Sequence, residues 1–185
     1  MITSIDIITG EEEIITLELA KLHLRVDSGY TEEDPLINVA IGSARVESEN
    51  YIGRKLLAGS VVLKMDDFTD FSNALQSVND TISAVEYYEP GDADKTALTA
   101  DSYASTKTYL YLNGTFKKEG LPEVDDRDDA VIVTINFGYD EDSCPKDIIS
   151  AMLLQIAESY DKRENRTALH QSAVRNLLDP YRKWQ

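Results

Sequence analysis

Val131-Ile132-Val133-Thr134-Ile135-Asn136-Phe137 reads as a strand with one buried face. Val131, Val133, Ile135 and Phe137 line one side while Thr134 and Asn136 look outward, the period-two alternation of a half-buried strand. Earlier runs share its β-favouring character: Val61-Val62-Leu63-Lys64-Met65, Ile82-Ser83-Ala84-Val85-Glu86-Tyr87 and Thr108-Tyr109-Leu110-Tyr111-Leu112. Turn chemistry separates them, in Pro90-Gly91-Asp92, Asn113-Gly114 and the acidic Asp125-Asp126-Arg127-Asp128-Asp129. Residues 60–140 are therefore expected to form a small antiparallel β unit.

On either side the period changes to that of helices. Thr16 is a good N-cap, and Leu17, Ala20 and Leu24 share one face of the helix it opens. Leu19, Leu22 and Val26 make a second apolar row, so this helix is expected to pack on two sides before Asp27-Ser28-Gly29 ends it. A second helix has Asp34 as its cap and Pro35 at its first position. Ile37, Ala40, Ile41, Ala44 and Tyr51 follow at helical spacing, and Gly53 supplies the stop. After the strands, a third helix starts near Ser143-Cys144-Pro145 with the stripe Ile148, Ile149, Met152, Ile156 and Tyr160, and Lys162 and Arg163 in its last turn. A fourth runs from about Thr167, with Val174, Leu177, Leu178 and Tyr181 on one face until Pro180 ends or bends it. The expected class is α+β. Residues 1–59 and 141–185 supply two helices each to a four-helix core, and residues 60–140 are a β insertion between helices two and three.

Charge narrows the function. The 185 residues carry a formal net charge of −16, which repels a phosphate backbone and argues against tight, sequence-reading DNA contact. A repelling wall is still what DNA sliding past would need. From Lys162 to Gln185 six bases face two acids, a net +4 that leaves −20 for residues 1–161. A basic tail on an acidic body marks a contact surface. Tyr181-Arg182-Lys183-Trp184 adds two aromatics to that tail, the residue types that dominate interface hot spots. One cysteine, Cys144, permits no internal disulfide and suits folding in a reducing cytoplasm. No signal peptide is read at the N-terminus and no membrane span is expected.

Tests for chemistry come back empty. His23 and His170 have no neighbours at metal-ligand spacing. Cys144 precedes a helix start, which lowers a thiol pKa, but Asp140, Glu141, Asp142 and Asp147 surround it and oppose that effect. Asp66, Asp67 and Asp70, Asp92 and Asp94, and the acids around Arg127 match no EF-hand pattern and read as solvated loops. No phosphate-binding glycine loop occurs. No catalytic residue, cofactor or metal is assigned.

Several segments, in order, resemble the head–tail connector (head-completion adaptor) proteins of long-tailed phages and prophages, often labelled DNA-packaging proteins. They are Ile15-Thr16-Leu17-Glu18-Leu19-Ala20-Lys21-Leu22-His23-Leu24-Arg25-Val26-Asp27 and Asp34 with Leu36-Ile37, Ala44-Arg45 and Glu49-Asn50-Tyr51-Ile52-Gly53-Arg54. Further on come Gly138-Tyr139 with Pro145-Lys146-Asp147-Ile148-Ile149-Ser150-Ala151-Met152, Tyr160-Asp161-Lys162-Arg163-Glu164, and Val174, Leu177-Leu178 and Pro180-Tyr181-Arg182. The β unit matches loosely and resembles the subgroup with a β domain between helices two and three. The resemblance implies a structural protein, not an enzyme, in a closed ring of about twelve subunits below the portal. That ring extends the DNA channel without sequence-specific binding and joins the head to the next neck or tail-completion protein. It implies a place in the virion neck after synthesis in the bacterial cytoplasm. Arg175, Tyr181, Arg182, Lys183 and Trp184 are then the candidate portal-docking residues. Surplus apolar faces would be buried between neighbouring subunits, at roughly 25 cal/mol per Å². The alternative is an acidic inhibitor or DNA mimic that binds a basic host partner. It requires acids at phosphate-like spacing on one face and leaves the basic tail without a role. A metal-dependent hydrolase using Asp66 to Asp70 is supported by no motif.

Overall fold

Helix and strand segregate along the chain. The computed structural model describes every residue except 11, 73–79, 108–111, 118, 141, 162–170 and 183–185. Two units emerge: Met1–Gly10 with Ala58–Gly138, and Glu11–Leu57 with Tyr139–Gln185.

The first unit holds the strands. β1 (Ile2–Thr9), β2 (Gly59–Met65), β4 (Thr81–Tyr88), β5 (Lys95–Ala97) and β8 (Val131–Phe137) make a five-stranded sheet in the order β1-β2-β8-β4-β5. β3 (Phe71–Ser72), β6 (Tyr103–Lys107) and β7 (Leu112–Phe116) make a three-stranded sheet in the order β3-β7-β6. Every pairing is antiparallel. Val61, Leu63 and Met65 of β2 register against Ile135, Val133 and Val131 of β8, and all six are buried. Phe71 and Phe116 of the smaller sheet join this core, with Phe68 edge-on to Phe116 at 5.2 Å between ring centroids. Gly114 lies opposite Phe71 across β3 and β7, and the Phe71 ring fills the space that a Cβ at 114 would need.

Val131, Val133, Ile135 and Phe137 are buried as the alternation in residues 131–137 requires, and Asn136 is exposed, but on the outward face Thr134 is half-buried and Ile132 is buried. Residues 1–10, by contrast, belong with the strands and not with the helical half to which the sequence reading assigned residues 1–59. β1 is a sheet edge exposed along most of its length, so it lacks the buried alternation that betrays an interior strand. Of the run expected at Thr108–Leu112, residues 108–111 lie outside the described residues, and β7 begins at Leu112.

The second unit holds the helices: α1 (Leu17–Leu24), α2 (Asp34–Ile52), α3 (Lys146–Asp161) and α4 (Gln171–Leu178). Thr16 caps α1 by accepting a hydrogen bond from the Leu19 N–H. The helix stops before the expected Asp27-Ser28-Gly29, because Arg25 takes a left-handed conformation (φ 58°) and the Arg25 and Val26 amides close the last turn. The expected second packed row of α1 is not buried, since Leu22 is 75% exposed. Glu33, not Asp34, holds the N-cap position of α2, with no side-chain cap bond. Asp34 instead pairs with the buried Lys21, whose ammonium also donates to the Tyr30 carbonyl at 2.8 Å. α3 buries Ile148, Ile149, Met152 and Ile156, and its Tyr160 hydroxyl donates to the Glu33 carboxylate. Lys162, Arg163 and Thr167 lie outside the described residues, and the described part of α4 begins at Gln171.

α2 ends at Gly53, whose φ of 71° is the left-handed C-cap the sequence suggested. The Glu49 carboxylate is buried at this exit. It accepts from the Leu56 N–H at 3.0 Å, the Leu57 N–H at 3.4 Å and the Lys55 ammonium at 3.1 Å, and faces the Arg45 guanidinium at 3.4 Å. Arg45 in turn donates to Glu13 at 2.9 Å. Burial pushes the Glu49 pKa up, but the Leu56 amide, the Lys55 ammonium and the Leu57 amide outweigh it and hold the group below its ordinary value.

Two tests follow from this packing. Gly114→Ala forces the Phe71 ring aside and is expected to destabilise by about 1–3 kcal/mol in urea unfolding. The same change at Gly42 inside α2, where a Cβ meets only Glu13 Oε1 at 3.7 Å, is expected to stabilise by about 1 kcal/mol. Because the folded Glu49 pKa lies below its unfolded value, its stabilisation is complete above about pH 4.3 and is lost as pH falls through the folded pKa. Glu49→Gln should therefore lower stability by about 1–3 kcal/mol at pH 7 and shrink the loss that wild type suffers on going to pH 3. Urea unfolding of both proteins at the two pH values measures the difference.

Candidate interaction surfaces

The C-terminal segment gathers at one tyrosine. α4 buries Val174 and Leu178 and runs into a 3₁₀ turn over Asp179–Tyr181, so Pro180 ends the helix as its missing N–H requires. The Tyr51 hydroxyl near the end of α2 donates to Asp179 Oδ1 at 2.5 Å. The Arg175 and Arg182 guanidiniums stand 5.7 and 5.1 Å from the Tyr51 ring centroid. Both fall within the roughly 6 Å at which a cation is drawn to a ring face. The bond to Asp179, together with burial and the Asp179 charge, raises the Tyr51 pKa, and the two arginines partly offset it. Of the five residues read as a docking tail, the fold brings Arg175 and Arg182 together on Tyr51. Tyr181 is half-buried in the turn, and Lys183 and Trp184 lie outside the described residues. Tyr51 itself was read as part of an apolar stripe and of the helix exit Glu49-Asn50-Tyr51-Ile52-Gly53-Arg54, not as a seat for the tail.

Most of the large exposed apolar side chains fall in two groups, with Leu22, Tyr30 and Leu154 outside them. In the strand unit, the large ones among the described residues all sit on β1 or immediately before it: Met1, Ile5, Ile7 and Ile8. Ile5 and Ile7 register with the buried Leu63 and Val61, so they continue the core face of the sheet to its uncovered edge, where Ile7 is 60% exposed. In the helical unit, Leu36, Val39 and Val46 line the side of α2 turned away from its buried Ile37, Ala40, Ile41 and Ala44, and Val39 is 68% exposed. Both groups escaped the sequence reading. The signal was present in the β-branched run Ile2, Thr3, Ile5, Ile7, Ile8, Thr9 and in the helical spacing of Leu36, Val39 and Val46.

The titratable groups weighed as possible chemistry hold backbone or neighbours instead. Asp66 takes the N-terminal ammonium, Asp67 accepts from the Phe68 amide at 2.7 Å, and Asp70 accepts from the Phe116 amide at 2.9 Å. Arg127 pairs with Asp129 at 2.5 Å and lies over the Tyr88 ring at 3.8 Å. The Ser143 hydroxyl and amide hold the Asp140 pKa low at the entrance to α3. Cys144 is buried, and burial pushes its thiol up to about 12, which leaves it protonated and unreactive. His23 is exposed in the last turn of α1, and His170 lies outside the described residues. Among the described residues no three His, Cys, Asp or Glu side chains stand together as metal ligands. No helix among them is long and apolar enough to cross a membrane.

The family model of the phage gp6-like head-tail connector protein matches residues 14–113, more than half of the chain. Among curated proteins no match is found. Solved structures are similar over nearly the whole length. A chain from the neck of an empty gene transfer agent particle, computed with C6 symmetry, matches with a TM-score of 0.70 at 16% identity. The match covers 99% of this chain and 97% of that one. A chain from the virion of the native particle gives 0.68 at 16% identity. One from the native neck, computed with C12 symmetry, gives 0.63 at 15% identity, both with the same coverage. At these identities the likeness is one of fold. The family match over more than half of the chain leads to one conclusion: the chain belongs to the phage gp6-like head-tail connector family and is a structural connector protein, not an enzyme.

Proposed function

We propose that the chain assembles into a homo-oligomeric ring in the neck of a tailed-phage-type particle, below the portal, where it extends the DNA channel and joins head to tail. The observation that carries this reading is the family match over residues 14–113, joined to a full-length fold likeness to neck chains solved with C6 and C12 symmetry. Composition supports it. The net charge of −16 opposes tight contact with DNA phosphates, so in this reading the genome slides through without sequence-specific binding. The partners in this reading are further copies of the chain, the portal protein, and the next neck or tail-completion protein. Synthesis takes place in the bacterial cytoplasm before assembly.

The portal contact is assigned to Arg175, Tyr181, Arg182, Lys183 and Trp184. Arg175 and Arg182 already rest on Tyr51, so these two candidate contacts are seated on the helical unit. Seating those two side chains in advance reduces the ordering entropy that binding would otherwise cost them.

Light scattering on the protein alone, and mixed with the portal of its own genome, tests the assembly. A ring in either condition, in a stoichiometry matching the portal, is expected. A monomer that ignores the portal overturns the reading. Truncation after Asp179 is expected to abolish portal binding while circular dichroism remains that of wild type, and portal binding retained by the folded truncation removes the docking role of the tail.

A further inference from the structure

We infer that the contact between neighbouring copies is heterologous, with the Ile5 and Ile7 face of β1 on one copy covered by the Leu36, Val39 and Val46 face of α2 on the next. The inference rests on the ring reading and names the surfaces that make the ring. A ring larger than a dimer needs two different, mutually complementary patches on every chain. The described residues offer one such patch in each unit. β1 is an edge strand of eight residues whose core-side isoleucines run beyond the cover of the smaller sheet. α2 is a 19-residue helix with apolar side chains on the side its own unit leaves open.

Charge identifies the occupant as another copy. Two chains that each carry −16 repel wherever acids face acids, so they can approach only where the acids are already engaged. β1 has a single acid, Asp6, and it is paired with Lys64 at 2.9 Å. α2 has three. Asp34 is paired with Lys21, Glu47 accepts from Gln155 Nε2 at 3.5 Å, and Glu49 is buried among Arg45, Lys55 and two backbone amides. Both faces are therefore apolar and free of unengaged carboxylates, on a chain otherwise rich in them. A flat helix face laid over Ile5 and Ile7 continues the layer already formed by Val61 and Leu63.

The experiment uses the full chain with Ile7→Asp or Val39→Asp, both at exposed positions, with circular dichroism and thermal melting to verify the fold. In whichever condition the wild-type ring forms, each variant alone is expected to lose it. Mixed one to one, the two variants should form a two-subunit complex in sedimentation velocity, because the intact α2 of one still meets the intact β1 of the other. If either folded variant retains the ring, or the mixture yields no such pair, the assigned surfaces are overturned while the ring reading stands. If wild type forms no ring alone or with the portal, the ring reading itself falls.

Discussion

One buried carboxylate fixes where the chain passes from helix to strand. Glu49 lies four residues before the left-handed Gly53 and turns back to hold the Leu56 and Leu57 amides, which would otherwise be buried donors without acceptors. Arg45 and Lys55 keep that carboxylate charged, so its hydrogen bonds are the stronger, charge-assisted kind. With residues 56 and 57 held, the Leu56 carbonyl accepts from the Tyr139 amide at 2.7 Å and Leu57 bridges Tyr139. The helical unit thus gathers its outgoing and incoming chains at one place. Within the strand unit, Gly59 pairs with Phe137 and the Gly10 amide donates to the Ala58 carbonyl at 2.7 Å, so that unit gathers its own ends in the same way. Loss of the carboxylate would free the two amides and release Arg45 from one of its two acids.

What the sequence made legible follows from how each element is buried. β8 was readable because Val131, Val133, Ile135 and Phe137 all face the core while Thr134 and Asn136 on the other face are less buried, although Ile132 beside them is buried too. α2 was readable to within a residue at its start and at its end because Pro35 and Gly53 act through their own backbone preferences, although its cap position is Glu33 and not Asp34. β1 was not, because an edge strand with both faces largely exposed leaves no burial pattern, and its β-branched content was the only cue. β3 spans two residues and depends on Phe71 filling the space over Gly114, a pairing far apart in sequence that no local pattern reports. The length of α1 was misjudged for a different reason. Arg25 adopts a conformation that non-glycine side chains seldom enter, and two amides of the terminal turn compensate it.

The candidate surfaces divide along the same line. Composition disclosed that the tail is basic and aromatic, since charge and residue type survive without a fold. It could not disclose the seat of that tail, because Tyr51 and Asp179 meet across 128 positions of sequence. Tyr51 has the spacing of a core residue in α2, yet its hydroxyl makes it a polar anchor with an apolar body. The acids show the same economy. Side chains that counted toward the charge of −16 are, once folded, acceptors for backbone amides and partners for buried cations.

An edge strand with three exposed isoleucines is an unusual thing for an acidic protein to leave uncovered. Proteins normally shield such edges with charge, proline, a bulge or a covering element. β1 has one charge, already paired, no proline, and a single register irregularity between Ile2 and Ser4, ahead of its isoleucines. The opposite sheet edge, β5, is three residues long and begins with Lys95, which faces Glu86 at 3.6 Å. Shielding is thus present at one edge of the sheet and missing at the other. Ile5, Ile7 and Ile8 exposed on such an edge are a liability in water unless something covers them. In a chain whose acids elsewhere keep copies apart, the uncovered edge is also where copies can meet. The same charge then serves both ends, deterring random association over most of the surface and confining contact to the faces that lack it.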